Sequence, residues 1–203
     1  MILAFVVSMA LATLPVRAAS LELVVFGDSL TSGYGLAAGE GFTDALEKAL
    51  RDEGLDIRIV NAGVAGDTST QGLARLDWSI PDTAKGVIVE LGANDALRGQ
   101  DPAQMEKSLD EILTRLKARN IPVLLAGMRA PPNMGADYQA RFDPIFPKLA
   151  AKHRVLFYPF FLENVAANPE LNQSDGMHPN VAGVAKLVEG ILPFVKELAE
   201  QAR

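Results

Sequence analysis

The chain has 203 residues, which suits a single domain, and 49% of them are apolar, so it can bury a sizeable core and is not disordered. Its formal net charge is -6, its isoelectric point is about 5.0, and no stretch is rich in lysine or arginine, which excludes the charge pattern of a nucleic-acid or anionic-membrane binder. It contains no cysteine, which excludes disulfides, thiol catalysis and cysteine-based metal sites.

The first 18 residues are typical of a secretory signal peptide. An apolar run from Ile2 to about Leu14 precedes a helix-breaking proline and small residues, and cleavage after Ala18 satisfies the usual small-residue rule. No lysine or arginine precedes the run, and the alternative is a buried first strand or helix. The run is too short for a confident membrane span. We therefore expect a periplasmic or secreted protein whose mature chain, residues 19–203, forms one domain.

Five short runs rich in apolar and β-branched residues predict strands. They are Leu21–Phe26, Ile57–Val60, Gly86–Leu91, Pro122–Gly127 and Val155–Tyr158. Most of these runs are continuously apolar rather than alternating, which is typical of parallel strands that are covered on both faces.

Four helices are predicted between and after these strands, at Thr43–Glu53, Pro102–Ala118, Tyr138–Lys152 and Asn180–Gln201. Gly54 is suited to end the first helix, and Asp101 is suited to cap the second. The prolines inside the third predict a bend or a break. The apolar stripes of these helices are interpreted as core rather than as cofactor sites.

Strands that alternate with helices indicate a doubly wound parallel α/β sheet with right-handed crossovers. In such sheets ligands bind beyond the carboxyl ends of the strands, so we expect the chemistry in the loops at that edge. Four loops carry unusual polar residues: Gly27–Ser29, Asn61–Ser69, Gly92–Asp95 and, before the last helix, Asp175–Asn180. Each loop alone is weak evidence, but together they bring serine, asparagine, aspartate and histidine to one edge of the sheet.

These loops hold the groups that acyl transfer requires, namely a hydroxyl nucleophile, a base, a group that orients the base, and donors for the oxyanion. Ser29 lies where a strand gives way to a helix, and its own N–H can serve as an oxyanion donor there. His178 lies in a loop, whereas His153 lies at a polar helix end where solvent access is expected, and is interpreted as structural. Asp175 precedes His178 by three residues and can fix its tautomer. The predicted triad is therefore Ser29, His178 and Asp175.

Two further oxyanion donors are predicted. A glycine allows a close backbone approach, and a side-chain amide donates without carrying charge, which indicates the Gly63 N–H and the Asn94 amide. The alternatives are turn geometry for Gly63 and an Asx-turn for Asn94. Turns and helix caps are the preferred roles for the remaining acids of these loops: Asp28, Asp67 and Asp95.

The motifs GDSLTSGYG, NAGVAGDTS, GAND and DGMHPN together resemble the four blocks of the GDSL, or SGNH, hydrolase family. Block by block, the resemblance assigns the family's serine, glycine, asparagine and histidine, with the third triad member, to Ser29, Gly63, Asn94, His178 and Asp175. The segments GANDALRGQDP, RAPPNMGADYQARF and FPKLAAKHRV are similar to a bacterial periplasmic subgroup of thioesterases, arylesterases and lysophospholipases. The resemblance implies a flavodoxin-like three-layer α/β/α sandwich with about five parallel strands, and a serine esterase without metal or organic cofactor.

The predicted function is hydrolysis of carboxylic esters or acyl thioesters through an acyl-enzyme, on a small-molecule substrate and by a monomer. An acyltransferase that uses the same residues is one alternative, and a non-catalytic binding protein on the same fold is another. A metallophosphoesterase could use the acidic loops and His178, but a two-metal site usually needs several histidines, and only one suitable histidine is present.

Overall fold

A computed structural model describes residues 21–203 of the chain, and the predicted signal peptide, residues 1–18, lies outside the described residues. Five parallel strands form one sheet in the order β2-β1-β3-β4-β5. They are β1 (Leu21–Gly27), β2 (Ile57–Asn61), β3 (Gly86–Glu90), β4 (Val123–Ala126) and β5 (Leu156–Tyr158). Each coincides with a predicted run, and the doubly wound parallel sheet is confirmed.

Helices cover both faces of the sheet, at α1 (Ser29–Ser32), α2 (Phe42–Asp52), α3 (Ser69–Ser79), α4 (Ala93–Leu97), α5 (Pro102–Ala118), α6 (Ala136–Phe142), α7 (Ile145–His153) and α8 (Val181–Gln201). A short 3-10 turn at Pro132–Met134 precedes α6. Helices α2 and α8 pack together in one layer, and α3, α5 and α7 form the other. This is the three-layer sandwich that the family resemblance implies.

The helix ends follow the predicted local chemistry. The Asp101 side chain accepts the N–H of Ala103 at the start of α5, where Pro102 is the first helical residue. The third predicted helix is broken at Asp143 and Pro144 into α6 and α7, as its prolines suggested. Helix α3 was not predicted, because it buries an arginine and a serine beside its apolar residues and so lacks a clean apolar stripe.

The sheet is buried on both faces, and all five residues of β3 are buried. Because the strands are parallel, the carboxyl ends of β1, β2 and β3, which lead into the loops with polar residues, lie at the same edge of the sheet. The strand order reverses between β1 and β3, so the loops after β1, β2 and β3 open on a shared crevice. Within residues 21–203, no helix is long and apolar enough to cross a membrane.

Candidate active site

Ser29 is the first residue of α1 and directly follows the sharp turn at the end of β1. Asp28 caps this helix, because its carboxylate accepts the N–H of Leu30 at 3.0 Å. The turn requires glycine at position 27, since a Cβ there would lie only 2.7 Å from the backbone carbonyl oxygen of Glu90. The half-buried Ser29 is thus held at the edge of the sheet rather than inside it.

Ser29, His178 and Asp175 meet in the geometry of a catalytic triad. The Nε2 atom of His178 lies 2.9 Å from the hydroxyl oxygen of Ser29, and Nδ1 lies 2.6 Å from Oδ2 of Asp175. The other carboxylate oxygen of Asp175 accepts the N–H groups of Met177 and His178 at 2.9 and 3.0 Å. These backbone hydrogen bonds, together with the imidazole contact, lower the pKa of Asp175 to about 2, so this side chain is an anion at neutral pH.

Two residues that the sequence did not indicate support the histidine loop. The side-chain amide of Gln173 donates to the carbonyls of Tyr34 and Pro179, and its backbone N–H donates to the carbonyl of His178 at 2.7 Å. The ring of Tyr34 lies with its centroid 4.6 Å from that of the His178 imidazole. These contacts support the loop and the ring of His178, and they depend on the tertiary fold rather than on a local motif.

Asn94, in α4, lies between two of the loops. Its amide nitrogen donates to Oδ2 of Asp28 at 2.9 Å and to the carbonyl of Asp67 at 3.0 Å. Both partners are acceptors, which defines the orientation of the amide. The predicted oxyanion donor is therefore beside the Ser29 turn, with both of its N–H groups engaged within the protein in this resting site.

The loop after β2 contains two glycines with different environments. The N–H of Gly63 donates to the side-chain oxygen of Asn61 at 2.9 Å, and a Cβ on Gly63 would lie 2.8 Å from the backbone nitrogen of Ser32. Gly66 has a φ of +86°, and its N–H donates to no described residue. The carbonyl of the residue after Gly66 is the one that accepts from Asn94. Sequence reasoning passed over Gly66, although its place in the same loop was a usable signal.

Asp67 and Asp95 are occupied by structural contacts, in agreement with their interpretation. The carboxylate of Asp67 pairs with the buried guanidinium of Arg75. Asp95 accepts the backbone N–H and the hydroxyl of Ser69 at 2.8 and 2.6 Å, which ties α4 to the start of α3. These bonds give both acids a structural role in the described part of the chain. Within residues 21–203 no cluster of three histidine or acidic side chains is arranged to hold a metal ion.

Asp28 and Glu90 form a buried pair of carboxyl groups below the Ser29 turn. Burial raises the pKa of Asp28 to about 6, against the opposing effect of hydrogen bonds from Leu30, Asn94 and Glu90. Burial, and then the charge of Asp28, raise the pKa of Glu90 well above its usual range. Sequence reasoning missed Glu90 because it ends an otherwise apolar strand and matches no catalytic pattern.

His153 lies away from the triad, which agrees with its structural interpretation. The prediction that His153 is accessible to solvent is wrong, because its ring is buried. Its Nε2 atom lies 2.6 Å from the carboxylate of Asp110 on α5. His153 ends α7 just before β5, so it lies at the amino edge of the sheet, opposite to Ser29. It therefore links α5 to α7.

Comparisons with known proteins are consistent with this geometry. Residues 25–186 match the model of the GDSL-like lipase/acylhydrolase family. The chain is 40% identical to esterase TesA of Pseudomonas aeruginosa over 94% of this chain and 95% of that protein. It is 42% identical to thioesterase 1/protease 1/lysophospholipase L1 of Escherichia coli over 84% and 81% of the two chains.

The fold also matches a solved structure in this group. The crystal structure of AlinE4, an SGNH-hydrolase family esterase, is 49% identical to the chain. It superposes with a TM-score of 0.76 and covers 89% of this chain and 97% of that one. The family match over residues 25–186 spans all four loops.

Proposed function

The chain belongs to the GDSL-like lipase/acylhydrolase family and is a hydrolase of ester bonds, and on this premise we propose that Ser29, His178 and Asp175 are its catalytic triad. The observation that carries the proposal is the 2.9 Å contact between the Ser29 hydroxyl and His178 Nε2, with Asp175 on the opposite nitrogen. His178 removes the proton of Ser29 as the hydroxyl attacks the acyl carbonyl, and then returns it to the leaving group. The same imidazole activates the water that hydrolyses the acyl-enzyme.

The oxyanion site of this proposal combines the Ser29 N–H, the Asn94 amide and a glycine N–H. Gly66 fits the last role better than Gly63, because the Gly63 N–H is bonded to Asn61 while the Gly66 N–H has no partner among the described residues. Arg98 donates to the carbonyl of Gly66 at 2.6 Å, which anchors the loop at this residue. A developing negative charge draws the Asn94 amide away from one of its two resting acceptors.

The substrates proposed are small-molecule esters or acyl thioesters with an apolar acyl or aryl group. Large hydrophobic side chains are exposed on the loops and helix ends that carry the triad and oxyanion residues: Tyr34, Val64, Leu97, Met177 and Val181. The names of relatives, an esterase, an arylesterase and a thioesterase/lysophospholipase, agree with this choice of substrates. An exposed apolar rim around a catalytic serine favours substrates that bury hydrocarbon on binding.

The substrate proposal is tested with p-nitrophenyl esters of increasing acyl length and with matching acyl-CoA thioesters. Met177→Ser removes an apolar side chain next to His178, and we expect a selective loss of kcat/KM for the longer acyl chains, by up to about tenfold. Trp78→Ser is the matched control, because Trp78 is exposed near the far end of α3. Equal losses for short and long chains, or equal losses in both variants, would contradict the proposed apolar contact.

A transfer of the acyl group to an alcohol instead of water remains the second use of the same residues. An added alcohol that competes with water would give a new ester without changing the rate of acyl-enzyme formation. Product analysis by mass spectrometry in the presence of a primary alcohol measures the ratio of the two products. An ester-to-acid ratio no greater than the molar ratio of alcohol to water identifies the protein as a hydrolase.

We propose further that residues 1–18 direct export and are cleaved after Ala18, which leaves residues 19–203 as the mature single-domain enzyme. The apolar run of residues 2–14 and the small residues before the cleavage point support this proposal. N-terminal sequencing of the protein recovered from the periplasm or the medium should begin at Ala19. Recovery of the intact chain in the cytoplasm alone would contradict it.

A further inference from the structure

Glu90 has an environment that the proposed chemistry does not explain. It is the last residue of β3, and it is fully buried. Its Oε2 atom accepts the backbone N–H of Asp28 at 3.3 Å, whereas Oε1 has no hydrogen-bond partner among the described residues. An ionised carboxylate in this position would carry a buried and unpaired oxygen, which is costly.

The surroundings of Glu90 determine where the negative charge of this pair resides. Both oxygens of Asp28 accept N–H groups, one from Leu30 and one from Asn94, so Asp28 is the carboxylate. Glu90 has a fully buried oxygen without a donor within residues 21–203, and burial and the charge of Asp28 raise its pKa well above its usual range, so we assign the proton of the pair to Glu90. At neutral pH the pair therefore holds one proton and one negative charge.

No cation packs directly against Glu90 from the neighbouring strands in the described part of the chain. Its register partners are Gly27 on β1 and Ala126 on β4. From α3, the guanidinium of Arg75 reaches only as far as the carbonyl of Gly27, at 2.8 Å, and His178 acts electrostatically on Asp28. Asp28 is thus the charged group that responds to the protonation state of Glu90.

We propose that Glu90 is a positioning residue that, as a neutral acid, holds the backbone of Asp28 so that the Asp28 carboxylate can aim the Asn94 amide beside Ser29. The inference rests on the proposed function, because it supplies the support for the proposed oxyanion donor. Glu90 acts through Asp28 and does not touch the reacting atoms. Its side chain packs against Gly27, where a Cβ would lie 2.6 Å from Oε2, so the turn and the acid fit each other.

This arrangement has a consequence for activity at high pH. Ionisation of Glu90 places a second negative charge next to the Asp28 carboxylate, which repels it and disturbs its hydrogen bond to Asn94. We therefore expect kcat to fall on the alkaline side. A glutamine at position 90 keeps an acceptor for the Asp28 N–H, but it cannot ionise.

The test compares Glu90→Gln, Glu90→Ala and the control Val89→Ala, which removes buried volume from the adjacent position of β3 without removing a polar contact. Kinetics with a p-nitrophenyl ester are measured from about pH 5 to about pH 10, well below each variant's unfolding temperature. We expect Glu90→Gln to keep kcat within about threefold and to lose the alkaline fall. Glu90→Ala should lower kcat by about 10–100-fold with little change in KM, while Val89→Ala keeps kcat.

Two results overturn the inference. An alkaline fall in Glu90→Gln equal to that of the wild type would show that Glu90 ionisation is not its cause. A wild-type kcat in Glu90→Ala, or an equal loss of kcat in Val89→Ala, would show that Glu90 contributes only to packing of the core. A parallel Ser29→Ala variant distinguishes a failure of this inference from a failure of the proposed function. If Ser29→Ala still turns over the ester, both the triad proposal and the role of Glu90 are wrong. If Ser29→Ala is inactive, the triad proposal stands and the Glu90 variants alone decide the inference.

Discussion

Replacement of Asn94 by alanine should affect catalysis and stability by different amounts, and both amounts follow from its contacts. The amide donates to the buried carboxylate of Asp28 at 2.9 Å and to the carbonyl of Asp67 at 3.0 Å. A hydrogen bond to a charged group contributes about 1.5–3 kcal/mol and a neutral one about 1 kcal/mol, so Asn94→Ala should lower the free energy of unfolding by about 2–4 kcal/mol. For a chain of this size, that is a fall in Tm of about 5–15 °C.

Well below the Tm of the variant, the loss of kcat in Asn94→Ala should be much larger than any loss of activity caused by unfolding. Removal of one oxyanion donor lowers kcat by about 10²–10³-fold and leaves KM nearly unchanged, because the lost interaction is strongest in the transition state. The assay is steady-state hydrolysis of a p-nitrophenyl ester at about 20 °C below the measured Tm of the variant.

His153→Ala is the matched control for this experiment. It removes a buried 2.6 Å contact to Asp110 at the opposite edge of the sheet, so it should lower Tm without lowering kcat. Wild-type kcat in Asn94→Ala would refute its role as an oxyanion donor. A large loss of kcat in both variants would show that general destabilisation, rather than the donor, accounts for the effect.

The remaining predictions concern the charged groups. Asp175→Asn should lower kcat by about 10³–10⁴-fold in the same ester assay, because Asp175 acts on the His178 tautomer, with only a small fall in Tm, because its side chain is partly exposed; normal turnover would contradict this. The folded chain binds the Asp28 proton more tightly than the unfolded chain does, so this group lowers the free energy of unfolding as pH rises from about 4 to about 6. Urea unfolding should therefore show that the stability of Asp28→Asn rises relative to that of the wild type over this pH range. Asp175 acts in the opposite direction, because its lowered pKa gives stability above about pH 4 that is lost towards about pH 2.

The strands and most of the helices were predictable because their signals are local. Short runs rich in apolar and β-branched residues predicted all five strands, and the local sequence predicted the cap at Asp101 and the break near Pro144. Helix α3 was missed because it buries Arg75, which donates to the carbonyls of Gly27 at the end of β1 and Ala62 just after β2. A polar residue that finds its partners only in the folded chain cannot be assigned from its own periodicity.

The contacts of His178 with Asp175 and Ser29 were predictable for a different reason, since a short turn constrains Asp175 and His178 and only one histidine lies in a loop. The choice between Gly63 and Gly66 was not, because both glycines lie in one loop and only the structure shows which N–H is already bonded. Glu90 was not predicted as a functional residue, because it ends an apolar strand and belongs to no recognisable motif. Its importance emerges from an unpaired oxygen and a neighbouring carboxylate that lies 62 residues away in the chain.

Covalent labelling with a fluorophosphonate, followed by peptide mass spectrometry, tests the central claim most directly. The account predicts one adduct, on Ser29, formed in step with the loss of ester hydrolysis and unaffected by EDTA. Labelling and turnover should both vanish in Ser29→Ala, with Tm nearly unchanged. An adduct on any other residue, or hydrolysis that survives in Ser29→Ala, would contradict the assignment of Ser29 as the nucleophile.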